Sequence, residues 1–163
     1  MKFIKATLAD CNIVKDIVHT TIKTIYPHYY PKGVVEFFLD HHSYDNIRKE
    51  IETETVLLLD VDGIIVGTGS TSGNELSRLY VLPQFQGLSY GTSLMEKLEE
   101  IISTDYSAIV LASSLPGYNL YLKHGYTPTT FEKIITANED VLCFNFMEKP
   151  IKSNTARSSI KSS

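Results

Sequence analysis

An α+β domain with a mixed central sheet is the fold the sequence predicts, and three observations carry the prediction. Runs with strand character alternate with stretches of helical spacing, in the order β-α-α-β-β-β-α-β-α-β-β. Asp62-Gly63 separates two apolar runs and is a strong signal for an antiparallel hairpin. Ala108 to Ala112 is a short, continuous apolar run that follows an amphipathic stretch, as a strand buried on both faces does. Together these give about seven strands flanked by about four helices, all within residues 1–150.

Each element has its own reason. Lys2 to Ala6 reads as a short opening strand. From Asp10, a candidate N-cap, the positions Ile13, Val14, Ile17, Val18, Thr21, Ile22 and Ile25 follow helical spacing. Pro27 and Pro31 bracket an aromatic connection, Tyr26-Pro27-His28-Tyr29-Tyr30-Pro31. A second helical stretch, about Gly33 to Ile51, carries Val34, Val35, Phe38, Ile47 and Ile51, with a break near His41–Tyr44. Strands follow at Thr55–Val61 and Ile64–Gly67, then at Glu75–Leu82, ending at Pro83. After a glycine-containing loop, Leu94, Met95, Leu98, Ile101 and Ile102 form one helical stripe. A helix from about Pro116 stops at Gly125, a C-cap residue, and strands near Tyr126–Ile135 and Val141–Met147 close the domain.

Composition limits the function classes. The chain has 163 residues, 43% hydrophobic and 21% charged, which suits one globular domain and excludes wholesale disorder. No apolar run approaches the roughly 20 residues of a membrane span, and the N-terminus lacks the apolar segment of a secretory signal. Cys11 and Cys143 cannot form a disulfide framework and fit a reducing, cytoplasmic setting. The net charge of −4 is unevenly spread. The serine-rich tail, residues 151–163, holds Lys152, Arg157 and Lys161 and no acid, so residues 1–150 carry −7. So acidic a domain is a poor holder of a nucleic-acid backbone. The tail is expected to be an appendage to the domain.

Two segments carry the chemistry. In Val81-Leu82-Pro83-Gln84-Phe85-Gln86-Gly87-Leu88-Ser89-Tyr90-Gly91-Thr92 a strand enters a tight loop that opens a helix. Small residues let successive N–H groups converge, and the helix end adds unpaired donors, which suits an anionic pyrophosphate without a lysine. The same loop also reads as an ordinary turn with glycines for geometry. It is neither a Walker loop nor a dinucleotide fingerprint. The second segment, Ser113 to Tyr126, is a strand feeding a helix that ends in Lys123-His124-Gly125-Tyr126.

Taken together, the two segments resemble the GCN5-related N-acetyltransferase (GNAT) family. Val81-x-Pro83-x-Phe85-Gln86-Gly87 is similar to the entry of that family's acetyl-coenzyme A loop, and Leu120-Tyr121-Leu122-Lys123-His124-Gly125-Tyr126 to its downstream motif, about thirty residues on. The element order matches that fold across nearly all of residues 1–150. Ser89 stands where the family's loop has its middle glycine, Ser114 where an asparagine is common, and Gly117 in place of a usual alanine. The resemblance implies an N-acetyltransferase that moves the acetyl group of acetyl-coenzyme A directly to an amine. The pantetheine arm would lie between two splayed strands, along Leu79, Tyr80 and Val81. The pyrophosphate would meet Gly87, Leu88, Ser89, Tyr90, Gly91 and Thr92, and Gln86, Ser114 and Asn119 complete the expected cofactor-binding residues. Tyr121 stands at the family's general-acid position, and a backbone N–H near Val81 would meet the oxyanion. Tyr121 could instead simply pack under the sheet.

The base and the acceptor are less specified. Glu75 opens the strand that leads to the loop and is the best carboxylate for a base or a base-held water; equally, it reads as a solvated strand-end residue. Arg78 alternates on the face of Leu76 and Tyr80. Tyr26, Tyr29, Tyr30 and Phe38 would wall an acceptor pocket by cation–π attraction with Asp40 as counter-charge, or would form a packing or dimer patch. A metal site of His28, His41, His42 and Asp45 is disfavoured because adjacent His41 and His42 point to different helix faces, so no metal is expected. Both cysteines read as structural. The acceptor stays open among polyamine, amino acid, small antibiotic amine and protein N-terminus, with the acidic composition mildly favouring cations. A rival reading is a non-catalytic acyl-coenzyme A binding or sensing module on the same fold.

Overall fold

The computed structural model describes residues 1–151; the expectation for the remainder of the tail lies outside the described residues. The strands are β1 (Lys2–Lys5), β2 (Thr55–Val61), β3 (Ile64–Ser72), β4 (Glu75–Val81), β5 (Ala108–Ser113), β6 (Thr127–Ile135) and β7 (Val141–Pro150). The helices are α1 (Cys11–Ile25), α2 (Lys32–His41), α3 (Tyr44–Thr53), α4 (Tyr90–Ile102) and α5 (Tyr118–Lys123). The strands form one sheet in the order β1-β2-β3-β4-β5-β7-β6, antiparallel except for β4–β5. The α+β class with a mixed sheet is as expected. Helices number five among the described residues because the second helical stretch divides. At the break, Ser43 is extended and its hydroxyl accepts from the Asn46 N–H at 3.2 Å, capping α3.

Two cores sandwich the sheet. One joins α1, α2 and α3 to the sheet through Val14, Val18, Ile22, Val34, Ile47 and Leu58. The other seats α4 through Leu94, Met95, Leu98 and Ile102, each contributing on the order of 2 kcal/mol by burial. α1 begins where expected, but Asp10 does not cap it with its side chain. The Asp10 carboxylate turns back and accepts from the Thr7 N–H and hydroxyl, at 2.8 and 3.0 Å. Ile13 is exposed, and Cys11 continues the buried stripe of Val14, Ile17, Val18, Thr21 and Ile22 instead.

β3 runs on past Gly67 to Ser72, through a Gly-Thr-Gly-Ser-Thr-Ser tract that propensity disfavours. Packing overrides the propensity. A Cβ on Gly69 would lie 2.7 Å from Leu98 Cδ1, so only glycine lets α4 approach this closely. The buried hydroxyls are satisfied, Thr68 Oγ1 donating to Leu57 O at 2.8 Å and Ser70 Oγ meeting Ser77 at 3.2 Å.

A bulge interrupts β4. Thr68 faces Tyr80 and Ser70 faces Ser77, so Arg78 and Leu79 together oppose Gly69. Arg78 takes φ of 48°, a conformation that costs a non-glycine residue about 1–2 kcal/mol. The extra residue reverses the alternation. Leu76 packs against α4, whereas Tyr80 packs on the α1 side. This corrects the expectation that Arg78 shares one face with both.

The sheet opens beside that bulge. β4 and β5 pair only at Glu75 and Val110, reinforced by Val110 N–H donating to Asn74 O and the Asn74 amide to Ala108 O, both at 3.1 Å. Past that apex no further pair joins them among the described residues. At the far edge the β6–β7 turn folds onto α2, where the Asp140 carboxylate accepts the Gly33 N–H at 2.9 Å. Ile151 N–H donates to Ser107 O at 2.8 Å, and its side chain packs on the α4-side core.

Candidate active site

Two cavities of about 640 and 630 Å³ flank the opening and share Tyr26, Leu79, Tyr80, Ser114 and Tyr121 as a common wall. The first, on the loop side, is lined also by Val81, Gln86, Gly87, Ser89, Tyr90, Gly91 and Thr92. Gly87 and Ser89 both adopt positive φ, 79° and 65°, which curls the loop into the start of α4. The first α4 backbone bond runs from Ser93 N–H to Ser89 O at 3.0 Å, so the N–H groups of Tyr90, Gly91 and Thr92 have no partner within the helix. No side chain caps them. These donors and the positive helix end suit an anion. Gln86 braces the loop, its amide donating to Val81 O at 2.9 Å.

The open edge of β4 supplies further polar groups. Leu82 N–H is given to Val66 O at 2.8 Å across the β3 edge. Alternation then turns the Val81 N–H toward β5 and the gap. Extended backbone with a free edge is where a ligand's own amides can pair.

The second cavity lies under α2 and α3. Phe37, Phe38, Ile134, Leu142, Phe144 and Phe146 form its apolar wall, and Glu50, Glu75, Arg78, His41, His42 and Asn46 its polar lining. Arg78 Nη2 pairs with Glu50 Oε2 at 2.8 Å, both side chains largely buried. Burial, then Glu50's charge, raises the Glu75 carboxyl above the ordinary glutamate range. Burial, then Arg78, pushes His42 down to about 2 and lowers His41, so both rings are neutral. A polar chain crosses the floor. His42 Nε2 meets the Tyr80 hydroxyl at 3.2 Å, which meets Tyr26 at 3.0 Å, which meets Ser114 Oγ at 3.2 Å.

Tyr121 stands at the junction. Its ring packs edge-on against Tyr126 at 5.6 Å, and Tyr126 donates to Glu99 at 2.8 Å, itself held by Lys149 at 3.0 Å. A Cβ on Gly117 would lie 3.0 Å from Tyr121 Cε2, so the glycine in place of alanine makes room for this ring. Burial, then Tyr26, raises the Tyr121 hydroxyl, which keeps its proton at neutral pH.

Of the other sequence candidates, Leu88 and Asn119 line neither cavity. Tyr26 and Phe38 line the second cavity, but Tyr29 and His28 face the first. Tyr30 is buried and lines neither; its hydroxyl accepts the Leu115 N–H at 2.7 Å and clamps the loop that leads to Tyr121. Its hydroxyl is pushed up to about 12, chiefly by burial. The two walls expected from Tyr29 and Tyr30 are therefore replaced, because the 3-10 turn at Tyr26–His28 directs these rings apart. Tyr30→Phe is expected to cost about 1–3 kcal/mol by leaving Leu115 N–H unpartnered, measurable as a lower urea midpoint at unchanged slope. Asp40 is exposed and outside the cavity, so it does not supply the counter-charge. His28 is separated from His41 and His42 by lining different cavities, and no group of three metal-ligating side chains occurs among the described residues.

Sequence reasoning missed the second cavity's outer wall. The signal was present as the period-two series Leu142, Phe144, Phe146. The Arg78–Glu50 pair left no such signal.

The profile of the acetyltransferase (GNAT) domain matches residues 25–149. No curated protein matches the chain. Among solved structures, a GCN5-related N-acetyltransferase from Rhodopseudomonas palustris superposes with a TM-score of 0.85 at 19% identity, over 92% of this chain and 95% of that one. The PaiA N-acetyltransferase from Thermoplasma acidophilum, solved with coenzyme A, gives 0.70 at 21% identity, over 91% and 98%. A putative acetyltransferase, yncA, from Salmonella typhimurium, solved with acetyl-CoA, gives 0.65 at 16%, over 93% and 94%. At these identities the structures establish the fold. No helix among the described residues is long and apolar enough to cross a membrane.

Proposed function

The chain belongs to the GNAT acetyltransferase family, and from that premise we propose that it transfers an acetyl group from acetyl-coenzyme A to an amine by direct attack. The observation that carries this reading is the meeting of two cavities at Tyr121, one ending on the unpartnered N–H groups of α4 and the other lined by carboxylates. Acetyl-coenzyme A is the donor and supplies an activated thioester.

The chain's own groups divide the work. The N–H groups of Tyr90, Gly91 and Thr92, presented by the curl at Gly87 and Ser89, hold the pyrophosphate without a lysine. Leu79, Tyr80 and Val81 offer backbone to the pantetheine amides along the open β4 edge, with Ser114 across the gap. Val81 N–H receives the charge that develops on the carbonyl oxygen. The attacking amine must be neutral, and its proton leaves toward Glu75. At about 3.3 Å per residue, Glu75 lies roughly 13 Å along β4 from Leu79, so it acts through water. As the carbon–sulfur bond breaks and the amide bond forms, Tyr121 shares its proton with the sulfur. Its raised hydroxyl keeps that proton until negative charge appears.

The test is release of free thiol from acetyl-coenzyme A across a panel of amines. Thiol release that depends on an amine is the expected result. Tight coenzyme A binding with no amine-dependent release overturns the enzyme reading and leaves a binding module.

A further inference from the structure

Four of the five buried side-chain atoms that lack a hydrogen-bond partner among the described residues belong to three residues lining the second cavity: Nε and Nη1 of Arg78, Oε1 of Glu50 and Nδ1 of His42. An enclosed polar atom without a partner has lost its water for nothing in return, so such atoms are rare and mark a place with another demand on it. The Arg78–Glu50 pair is also one-sided. Nη2 alone meets Oε2, at 2.8 Å, and the other Glu50 oxygen is idle. A pair serving stability alone gains most when both oxygens sit on the guanidinium fork.

Strain brings Arg78 there. The bulge in β4 gives it a φ of 48° and takes its side chain, 7% exposed, out of the strand's alternation toward Glu50 on α3. Counting along the parallel strands from the Glu75–Val110 pair, the Arg78 backbone is level with Ser113, next to Ser114 at the junction. Glu75 is roughly 10 Å of strand further back. The polar chain that starts at Ser114 ends on His42, and the Arg78 charge acts on both His42 and Tyr80. Since Ser113 pairs with Asn145, Ser114 is level with Phe144. A molecule seated at the junction therefore has the apolar wall on one side and Arg78 on another.

We propose that Arg78 receives an acyl oxygen of the acceptor: the carboxylate or the carboxamide of a molecule whose amine reaches Tyr121 at the junction. This deepens the acetyl-transfer reading and rests on it. The guanidinium turns about its pinned Nη2 and gives an idle donor to that oxygen, a charge-assisted bond in a largely buried setting. A carboxamide also brings N–H groups for the idle Glu50 oxygen and a carboxylate does not, so the two are separable by experiment.

The experiment uses two matched sets with the full-length protein: phenylalanine, phenylalaninamide and 2-phenylethylamine; and 6-aminohexanoate, 6-aminohexanamide and pentylamine. Thiol release and calorimetric binding to the protein–coenzyme A complex are the readouts. In at least one set the acid or the amide is expected to exceed the plain amine in kcat/KM by about tenfold or more, as a site built to bond an oxygen discriminates against its absence. The double variant Glu50→Gln, Arg78→Met removes both charges together, so no lone carboxylate is left buried. It is expected to erase that margin, whereas Glu50→Gln alone is expected to keep or widen the margin of the acid by removing a like charge. Arg78→Lys keeps the charge beside Glu50 without the planar donors, and is expected to cut the amide's margin at least about threefold even if the double variant fails to fold. No margin in either set, a margin that survives in the double variant or is untouched in Arg78→Lys, or loss of the acid's margin in Glu50→Gln alone overturns the proposal and leaves acetyl transfer standing. Arg78-dependent binding of the acid or amide, without thiol release from any amine, supports the Arg78 site and overturns acetyl transfer instead.

Discussion

Tyr121→Phe is expected to lower kcat by on the order of 10²-fold or more while leaving coenzyme A affinity within about twofold, because it deletes one proton donor and little surface. The ring should stay in place, since Gly117 leaves it room and Tyr126 backs it at 5.6 Å. The Tyr126 support is independently anchored through Glu99 and Lys149. Burial raises the Tyr121 hydroxyl, so the wild-type enzyme should show no loss of rate from its ionisation at neutral or mildly alkaline pH. Full transfer to an ordinary thiolate, whose acid has a pKa near 8.5, is uphill from such a hydroxyl. Its contribution is a hydrogen bond strengthened as the sulfur gains charge. Steady-state kinetics paired with calorimetry checks this; unchanged kcat removes Tyr121 from the chemistry.

Glu75→Gln is expected to lower kcat at neutral pH by about 10²-fold and to abolish the acidic limb of the pH–rate profile. The sign follows from the direction of the shift. Burial and the nearby Glu50 raise the Glu75 carboxyl, so it loses its proton at a higher pH than a free glutamate. Activity in the wild type should therefore fall as pH drops through a midpoint above the ordinary value of about 4.3. A midpoint at or below that value, or an acidic limb that survives in Glu75→Gln, would assign the proton to another acceptor. The raised carboxyl has a second consequence. The charged form is disfavoured by folding, so Glu75→Gln should leave stability at neutral pH unchanged or slightly raised.

The legible parts of the fold are those written in local periodicity. Asp62-Gly63 and the apolar series around it are sufficient for a hairpin, and the stripe of Leu94, Met95, Leu98 and Ile102 for a helix on the sheet. β3 beyond Gly67 was not legible, because its glycines and hydroxyls are strand-compatible only once α4 packs on Gly69. The same distinction runs through the site. The loop from Gln86 to Thr92 is contiguous, and its curl is a local matter of glycine and a helix start. Tyr29 and Tyr30 sit side by side in sequence, yet one lines the loop-side cavity and the other clamps Leu115, since the turn between α1 and α2 sends them apart.

Alone, then, the chain of residues specified an α+β domain and its two short motifs, because each is written in the pattern of neighbouring positions. Assembly in three dimensions settled the rest. The bulge at Arg78 reverses the face of β4, and the parting of β4 from β5 after one pair opens the gap. The β6–β7 hairpin swings Leu142, Phe144 and Phe146 over α2, and Glu50 meets Arg78 across some thirty positions of sequence. These are long-range pairings whose cost and reward appear only when distant segments pack, and no local pattern records them.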